Sequence, residues 1–511
     1  MKRLSTFALA LCAALNAYPS TSAAAEKARP ASGTVATAAG GAKQCEALKG
    51  KRLGVGTVEE AEWVERGTPL LSLTQRLMFR VALKGTSPGI DAPRDFCRVT
   101  AKVRPVPGSE ITVGVWLPQP WNGKMLGAGG GGFNGGLDIA AFALMNPTAK
   151  GYAALATDAG HETSESAKFA YESVEKLKDY GYRANHLGAE FGKALITTYY
   201  GKPVKRAYFH GCSNGGRDAL MLARRFPSDY DAIIAGAPAA DFTGLMSRFV
   251  WNQQAVNSAP KLGDKLKLLG DAVMKQCDAL DGVKDGLLDN PLNCPFDPAA
   301  LQCKSGDGPD CLNAAEVGAL RKIYGGPRLA DGTQIYPGQP VGGESVEENW
   351  KGLLELPRDS ALAKERVGAI VDSNDPDLSG FMSRGGKLLL YHGWNDLAIP
   401  ATATLDYHAA LRMTLGPVAD QQVRLFMVPG LLHCGGGPGA TDFDQLGELD
   451  RWVETGKAPD RIVAIEYDPP SRVLVLPGSK KVGTRPLCPW PKVAHYDGSG
   501  STKDAANFSC K

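Results

Sequence analysis

Past its first twenty-five residues the chain lacks any apolar run long enough to cross a bilayer, which excludes a helical membrane body. It lacks a surplus of either charge: 57 Lys and Arg stand against 54 Asp and Glu, for a net charge of +3. That balance excludes a nucleic-acid partner recognised by bulk electrostatics. It lacks any Cys-x-x-Cys, and its 11 cysteines are dispersed, which argues against the alternative of a zinc site. Histidine is scarce at 7 residues, so a catalytic base can be sought by weighing each in turn. What is plentiful is glycine (61) and proline (34), the composition of many turns and long loops. A hydrophobic fraction of 43% and a charged fraction of 22% are ordinary for a soluble globular enzyme.

The N-terminus has the layout of an export signal over residues 1–25. Lys2 and Arg3 precede a short apolar core, Phe7 to Leu15, and Ser22-Ala23-Ala24-Ala25 supplies small residues for cleavage. Cys12 lies within that core, and Leu11 before it disfavours a lipid anchor, which needs a small residue there. The mature protein is therefore expected to be periplasmic or secreted, with no membrane insertion. Removing Cys12 leaves ten cysteines, an even set that in an exported chain favours disulfides. Sequence does not fix their connectivity. The short-range candidates are Cys277–Cys294, Cys303–Cys311, Cys488–Cys510 and Cys45–Cys97, which leaves Cys212 and Cys434.

Residues 26–44, rich in Ala, Gly, Ser and Thr, read as a flexible leader. From Cys45 strand and helix patterns alternate. Ile111–Leu117, Lys124–Gly127, Tyr152–Ala156, Ala207–His210 and Ala232–Ala235 read as strands; Asn185–Tyr199 and Gly216–Arg225 read as helices. Such β-α-β alternation predicts an α/β fold with a mostly parallel sheet covered on both faces. The pattern breaks over residues 241–375, rich in Gly, Pro, Asp and Cys, and resumes at Lys387–Tyr391 and Val423–Val428. The expectation is a catalytic domain of residues 45–240 and 376–511, interrupted by a disulfide-stapled lid.

Gly211-Cys212-Ser213-Asn214-Gly215-Gly216 follows one of these strands and opens a helix. It is a G-x-S-x-G sequence in the strand–turn–helix setting that a nucleophile elbow requires. The alternative is an ordinary glycine-rich turn. Asp396 follows the strand Lys387–Tyr391, and His433 follows Val423–Val428. The order Ser213, Asp396, His433 is that of α/β-hydrolases. Asp406 and Asp442 compete for the role of acid but follow no strand so directly and read as surface carboxylates. Among the histidines, His161, His186, His210 and His392 read as structural, and His408 and His495 as surface residues. For the oxyanion the backbone N–H of Asn214 offers one donor, and Gly129–Gly132, at a strand end, offers a second.

Between Cys277 and Cys294 the run from Asp278 to Asn290 carries Asp278, Asp281, Asp285 and Asp289, bent by Gly282 and Gly286. Clustered hard oxygens suit Ca²⁺, although the spacing is not that of an EF-hand. The alternative is the acidic face of a short helix, which two internal glycines oppose.

Taken together, Cys212-Ser213, Asp396 and His433-Cys434 resemble the CS–D–HC motif of the tannase and feruloyl esterase family. Thr157-Asp158-x-Gly160-His161, the Asp278–Asn290 loop and Val428-Pro429-Gly430 are similar to the same family, and the likeness runs from about Cys45 to Cys510. The resemblance implies an α/β-hydrolase domain with an inserted lid and a Cys212–Cys434 disulfide. It implies oxyanion donors at Gly132 and Asn214. It further implies a structural Ca²⁺ held by Asp278, Asp281 and Asp285 with the carbonyls of Val283 and Leu287. Members cleave feruloyl and other hydroxycinnamoyl esters, galloyl esters and, in one branch related to mono(2-hydroxyethyl) terephthalate hydrolase, a terephthalate monoester. Ile399 stands where that branch has phenylalanine, and its aromatic-and-arginine stretch has no match here. The expectation is a feruloyl esterase acting on small aromatic esters of plant cell-wall or polyphenol origin. The rivals are a tannase, another aromatic monoester hydrolase, or a catalytically silent binding protein on the same fold.

Overall fold

The computed structural model describes residues 34–71, 73, 76, 90–133, 135–137, 140–165, 167–344, 360–468 and 479–511; the expected signal peptide lies outside them. Ten strands form the main sheet: β1 (Arg52–Leu53), β2 (Gly56–Val64), β3 (Phe96–Val103), β4 (Ile111–Pro118), β5 (Lys124–Ala128), β6 (Ala153–Thr157), β7 (Arg206–Cys212), β8 (Ala232–Gly236), β9 (Lys387–Gly393) and β10 (Val423–Val428). Their order is β1-β2-β3-β4-β6-β5-β7-β8-β9-β10. From β6 to β10 every pairing is parallel, whereas β1 to β4 pair antiparallel and β4 meets β6 antiparallel. The sheet is thus more mixed than expected. Residues 104–110 are too short to cross over a sheet face, so β3 and β4 must turn back on each other.

Side chains alternate between two cores, as the period of a strand requires. Met125, Leu155, Phe209, Ile233, Leu388, Leu390 and Leu425 face one way, onto Leu195, Leu220 and Leu411 of helices Ala184–Tyr200, Asn214–Arg225 and Ala401–Leu415. Leu126, Tyr208, Ile234, Leu389 and Phe426 face the other, onto Leu446, Leu449 and Trp452 of helix Gln445–Thr455. The central strands are apolar on both faces because both are covered.

Residues 237–386 leave the sheet after β8 and return at β9 without adding a strand to it among the described residues. This insertion has its own core of Leu262, Leu266, Leu269, Leu312, Val317, Leu320 and Ile323. Cys277–Cys294 and Cys303–Cys311 staple it. At the other end, Cys488–Cys510 closes the tail, and Cys45–Cys97 ties a helix, Thr34–Glu46, to β3. That helix begins inside the segment read as a leader. Among the described residues no helix is long and apolar enough to cross a membrane.

Candidate active site

Strand β7 ends in Cys212 and the next helix starts at Asn214, so Ser213 occupies the turn between them. Its φ is 63°, a left-handed conformation that a residue with a Cβ avoids. The turn survives because its neighbours are glycines in near contact. A Cβ on Gly211 would lie 2.1 Å from the Gly215 carbonyl oxygen, and one on Gly129 would lie 2.6 Å from Gly215 Cα. The glycine loop after β5 therefore backs directly onto the first turn of the serine helix.

The loops after β9 and β10 bring the other two residues in. His433 Nε2 is 2.9 Å from Ser213 Oγ, and His433 Nδ1 is 2.8 Å from Asp396 Oδ2. Ser213 is 8% exposed and Asp396 is fully buried, so the carboxylate is shielded from water while the hydroxyl stays reachable. Asp396 Oδ1 accepts from the backbone N–H of Ala398 and of Ile399, both at 2.9 Å. Burial alone would raise the carboxyl, but the charge of His433 and hydrogen bonds from His392 and His433 outweigh it and hold Asp396 well below the usual carboxylate range. An anchored carboxylate orients the imidazole so that Nε2 faces the hydroxyl as a proton acceptor.

Cys212 and Cys434 are bonded, with Cα atoms 5.9 Å apart and a separation of 222 positions in sequence. Cys434 also has a positive φ, 65°. The bond thus joins two backbone segments that both depart from relaxed geometry beside Ser213 and His433.

Gly132 and Asn214 are linked through a residue that sequence reading did not single out. The Tyr180 hydroxyl lies 2.7 Å from the Gly132 carbonyl oxygen and 2.8 Å from Asn214 Oδ1. Its single hydrogen is shared between the two acceptors. Arg217, fully buried, donates from Nε to Asn214 Oδ1, from Nη1 to Gly181 O and from Nη2 to Tyr180 O and Asp218 Oδ1. The network fixes both candidate oxyanion segments in one frame. Tyr180 sits in a single wide turn, Asp179–Arg183, with π-type hydrogen bonding, a feature frequent at functional sites and without a sequence signature here.

The other titratable candidates are distributed differently from the sequence expectation. His161 Nε2 meets the Phe133 carbonyl at 2.9 Å and its ring stacks on Phe169 at 3.8 Å. His186 pairs with Asp229 at 2.8 Å. Burial drives His210 down to about 3. His392 touches Asp396 itself. His408 is not a surface residue: it is 6% exposed, because it sits on the inner side of helix Ala401–Leu415, and burial lowers it to about 4. Asp442 is half-buried rather than exposed, since its segment pairs with Ile465, and burial pushes it to about 7. His495 and Asp406 are exposed as expected.

The acidic loop is not a helix face. Asp278 Oδ1 accepts from the N–H of Asp285 and of Gly286, Asp281 Oδ1 from Val283, and Asp285 Oδ1 from Leu287. Arg485, from strand Lys480–Leu487, reaches in and pairs with Asp285 and Asp289, with Asp281 at 3.7 Å. Three carboxylates therefore share one guanidinium. Asp289 Oδ1 is buried without a hydrogen-bond partner, and burial with the charges of Asp281 and Asp285 raises Asp289 to about 6 despite Arg485. Hard oxygens, surplus negative charge and an unsatisfied buried oxygen fit a divalent cation such as Ca²⁺. Among the described residues no three His, Cys, Asp or Glu side chains already stand at metal-ligating spacing.

A sheet of this order, with a serine on a strained strand-to-helix turn, is the α/β-hydrolase architecture. The family described as tannase and feruloyl esterase matches residues 97–355 and 354–511, and the chain belongs to it. It is 32% identical over 500 residues to a mono(2-hydroxyethyl) terephthalate hydrolase of Piscinibacter sakaiensis, covering 78% of this chain and 81% of that one. It is 30% identical over 474 residues to a probable feruloyl esterase B-2 of Aspergillus terreus, covering 83% and 87%. The crystal structure of feruloyl esterase B from Aspergillus oryzae superposes with a TM-score of 0.79 at 26% identity, over 92% of this chain and 100% of that one. The chain is accordingly a carboxylic ester hydrolase.

Replacing Cys212 and Cys434 together by alanine is expected to lower turnover more steeply than melting temperature. Opening a loop of 222 residues costs stability on the order of 5 kcal/mol in the chain-entropy model, and a shift of about 1 Å between reacting groups can cost about 100-fold in rate. Kinetics and thermal melts of the double variant, after mapping the bond in a non-reduced digest, check this.

Proposed function

We propose that this is an exported serine carboxylesterase that hydrolyses esters of hydroxycinnamic acids, with feruloyl esters as its reference substrates. The observation that carries the reading is the relay from Asp396 Oδ2 through His433 to Ser213 Oγ, at 2.8 and 2.9 Å. Ser213 Oγ attacks the ester carbonyl while His433 Nε2 takes its proton. The oxygen that becomes negative is met by the N–H groups of Asn214 and Gly132, both held by the Tyr180 hydroxyl through neighbouring oxygens. Collapse expels the alcohol, which carries away the proton from His433, and leaves an acyl group on Ser213. A water then gives a proton to His433 and attacks the acyl carbon; the aromatic acid leaves and Ser213 recovers its hydrogen.

An aromatic acyl group is supported by the apolar cluster of Phe133, Phe242, Met246, Ala398 and Ile399. Phe133 follows Gly132, Ala398 and Ile399 follow Asp396, and Phe242 and Met246 come from the insertion. The names of the relatives support ester substrates of this kind, with tannase activity and terephthalate monoester hydrolysis as alternatives to feruloyl ester hydrolysis. Five disulfides support an oxidising compartment.

Ser213→Ala and His433→Ala should each lose on the order of 10⁴ to 10⁶ in ester hydrolysis while remaining folded, and a fluorophosphonate should label the parent protein but not Ser213→Ala. Near-normal turnover by Ser213→Ala would overturn the assignment, and an inert parent protein would favour the binding-protein alternative.

Among methyl ferulate, methyl gallate and a terephthalate monoester, methyl ferulate is expected to give the highest kcat/KM. A gallate preference would make the protein a tannase.

The reading includes a structural Ca²⁺ held by Asp278, Asp281 and Asp285 with the carbonyls of Val283 and Leu287. The ion would supply positive charge to a loop whose carboxylates outnumber their one guanidinium. Chelation should therefore lower the melting temperature and added calcium should restore it, by mass action on the folded state. Dialysed, folded protein that contains no calcium and whose melting is indifferent to chelator would exclude the ion.

A further inference from the structure

His392 stands near the end of β9, four residues before Asp396, with no exposed surface. Its Nε2 lies 3.2 Å from Asp396 Oδ2 and 3.0 Å from the Ile399 carbonyl oxygen. Both neighbours are acceptors, so Nε2 carries the hydrogen and donates. Nδ1 lies 2.7 Å from Thr404 Oγ1, and in the neutral ring it accepts the Thr404 hydroxyl hydrogen. Thr404, itself 1% exposed, thus fits the tautomer that the two acceptors at Nε2 impose and holds the ring from its other side. Asp396 Oδ2 then accepts from two imidazoles at once, Nδ1 of His433 and Nε2 of His392, while Oδ1 accepts from two backbone N–H groups.

We infer that His392, oriented by Thr404, is a positioning residue of the reaction: it holds the carboxylate that orients His433 and shares its negative charge. The inference rests on the proposed Ser213–His433–Asp396 triad. With Oδ1 held by its two backbone N–H groups, an Oδ2 that faced His433 alone could still pivot about them and would pull harder on the imidazolium. The second donor at Oδ2 limits both. His392 touches neither Ser213 nor the space above it in any hydrogen bond, so its influence on the chemistry passes through Asp396.

The groups that face this carboxylate come from three directions. His392 comes from β9 and His433 from the loop after β10. From the insertion, Arg248 and Tyr336 feel its charge, and Gln339 Nε2 donates to the Asp396 carbonyl oxygen at 2.9 Å. Burial lowers Arg248 to about 10 and raises Tyr336 far above its ordinary value, so neither changes charge near neutrality. The acid limb of kcat/KM then reports the protonation of His433 under the pull of Asp396. Removing the His392 donor leaves more negative charge on Oδ2, favours the imidazolium, and moves that limb to higher pH.

The test is the pH profile of His392→Phe, His392→Gln and Thr404→Val, with active sites counted by fluorophosphonate so that folding losses are divided out. His392→Phe should lower kcat about 10- to 100-fold with KM little changed, and shift the acid limb upward. His392→Gln, whose amide N–H can reach Oδ2, should recover most of the rate and return the limb. Thr404→Val should give a smaller loss of the same sign. If His392→Phe does not fold, Thr404→Val decides: an unshifted limb with parent turnover per labelled site overturns the inference. An unchanged limb in a folded His392→Phe, even with a lower melting temperature, overturns it too and leaves the residue structural. Ser213→Ala and His433→Ala separate the two failures, since activity surviving in them refutes the triad itself, whereas their silence beside an unaffected His392→Phe refutes only the role of His392.

Discussion

The site depends on a serine backbone held in a conformation that serine avoids. A left-handed φ at a non-glycine residue costs on the order of 1 to 3 kcal/mol and persists only where the surroundings over-determine it. At Ser213 they do. Its N–H donates to the Gly236 carbonyl at the end of β8, and its carbonyl accepts from Arg217 and Ala239. One residue before it, Cys212 is bonded across to Cys434; two residues on either side, Gly211 and Gly215 are in contact that no side chain could enter. The strain is what lifts Oγ off the end of the sheet toward His433.

Beside that turn a full charge is buried, and it is paired. Arg217 has no exposed surface, and a lone guanidinium in such a place would cost several kcal/mol. Its donors are spread over Asn214, Gly181, Tyr180 and Asp218. Burial raises Asp218 to about 6 against the pull of Arg217. Asp396 goes the other way, because the charge of His433 and the hydrogen bonds from His392 and His433 outweigh its burial. Two buried carboxylates with opposite shifts, Asp218 in the frame and Asp396 in the relay, follow from the same physics applied to different partners.

What could be read from the sequence was whatever a local pattern records. The serine turn, the two strands that end before Asp396 and His433, and the pairing of neighbouring cysteines all lie within short segments, and the structure brings Ser213, Asp396 and His433 together as the pattern suggests. The parts that were not legible are those made by distant segments. Arg485 lies about two hundred residues from the acidic loop it neutralises, and nothing near Arg485 marks it as a partner of Asp285 or Asp289. Tyr180 has no motif. The antiparallel edge of β2 and β3 escaped the reading, although β3 alternates apolar and polar residues from Cys97 to Val103. His408 was misplaced because helix Ala401–Leu415 has apolar residues scattered around it rather than along one stripe. His392 did carry a signal, its spacing of four from Asp396 just after a strand, but without a tautomer argument that spacing means no more than proximity.

The insertion also reaches the loop that carries Asp396. Gln339 donates from Nε2 to the Asp396 carbonyl and accepts at Oε1 from Arg248, which also donates to the Ala398 carbonyl. Arg248 belongs to helix Phe242–Asn257 and Gln339 to a later loop, so two parts of the insertion grip the main chain on either side of Leu397. The same helix contributes Phe242, Leu245 and Phe249 to the apolar cluster beside Ile399. A substitution in that helix that reshapes the apolar wall therefore also moves a clamp on the loop that carries the acid. The apolar wall and the alignment of Asp396 are mechanically joined, and on the proposed reading a swap of wall residues transfers a substrate preference only if the Arg248–Gln339 clamp keeps its seat.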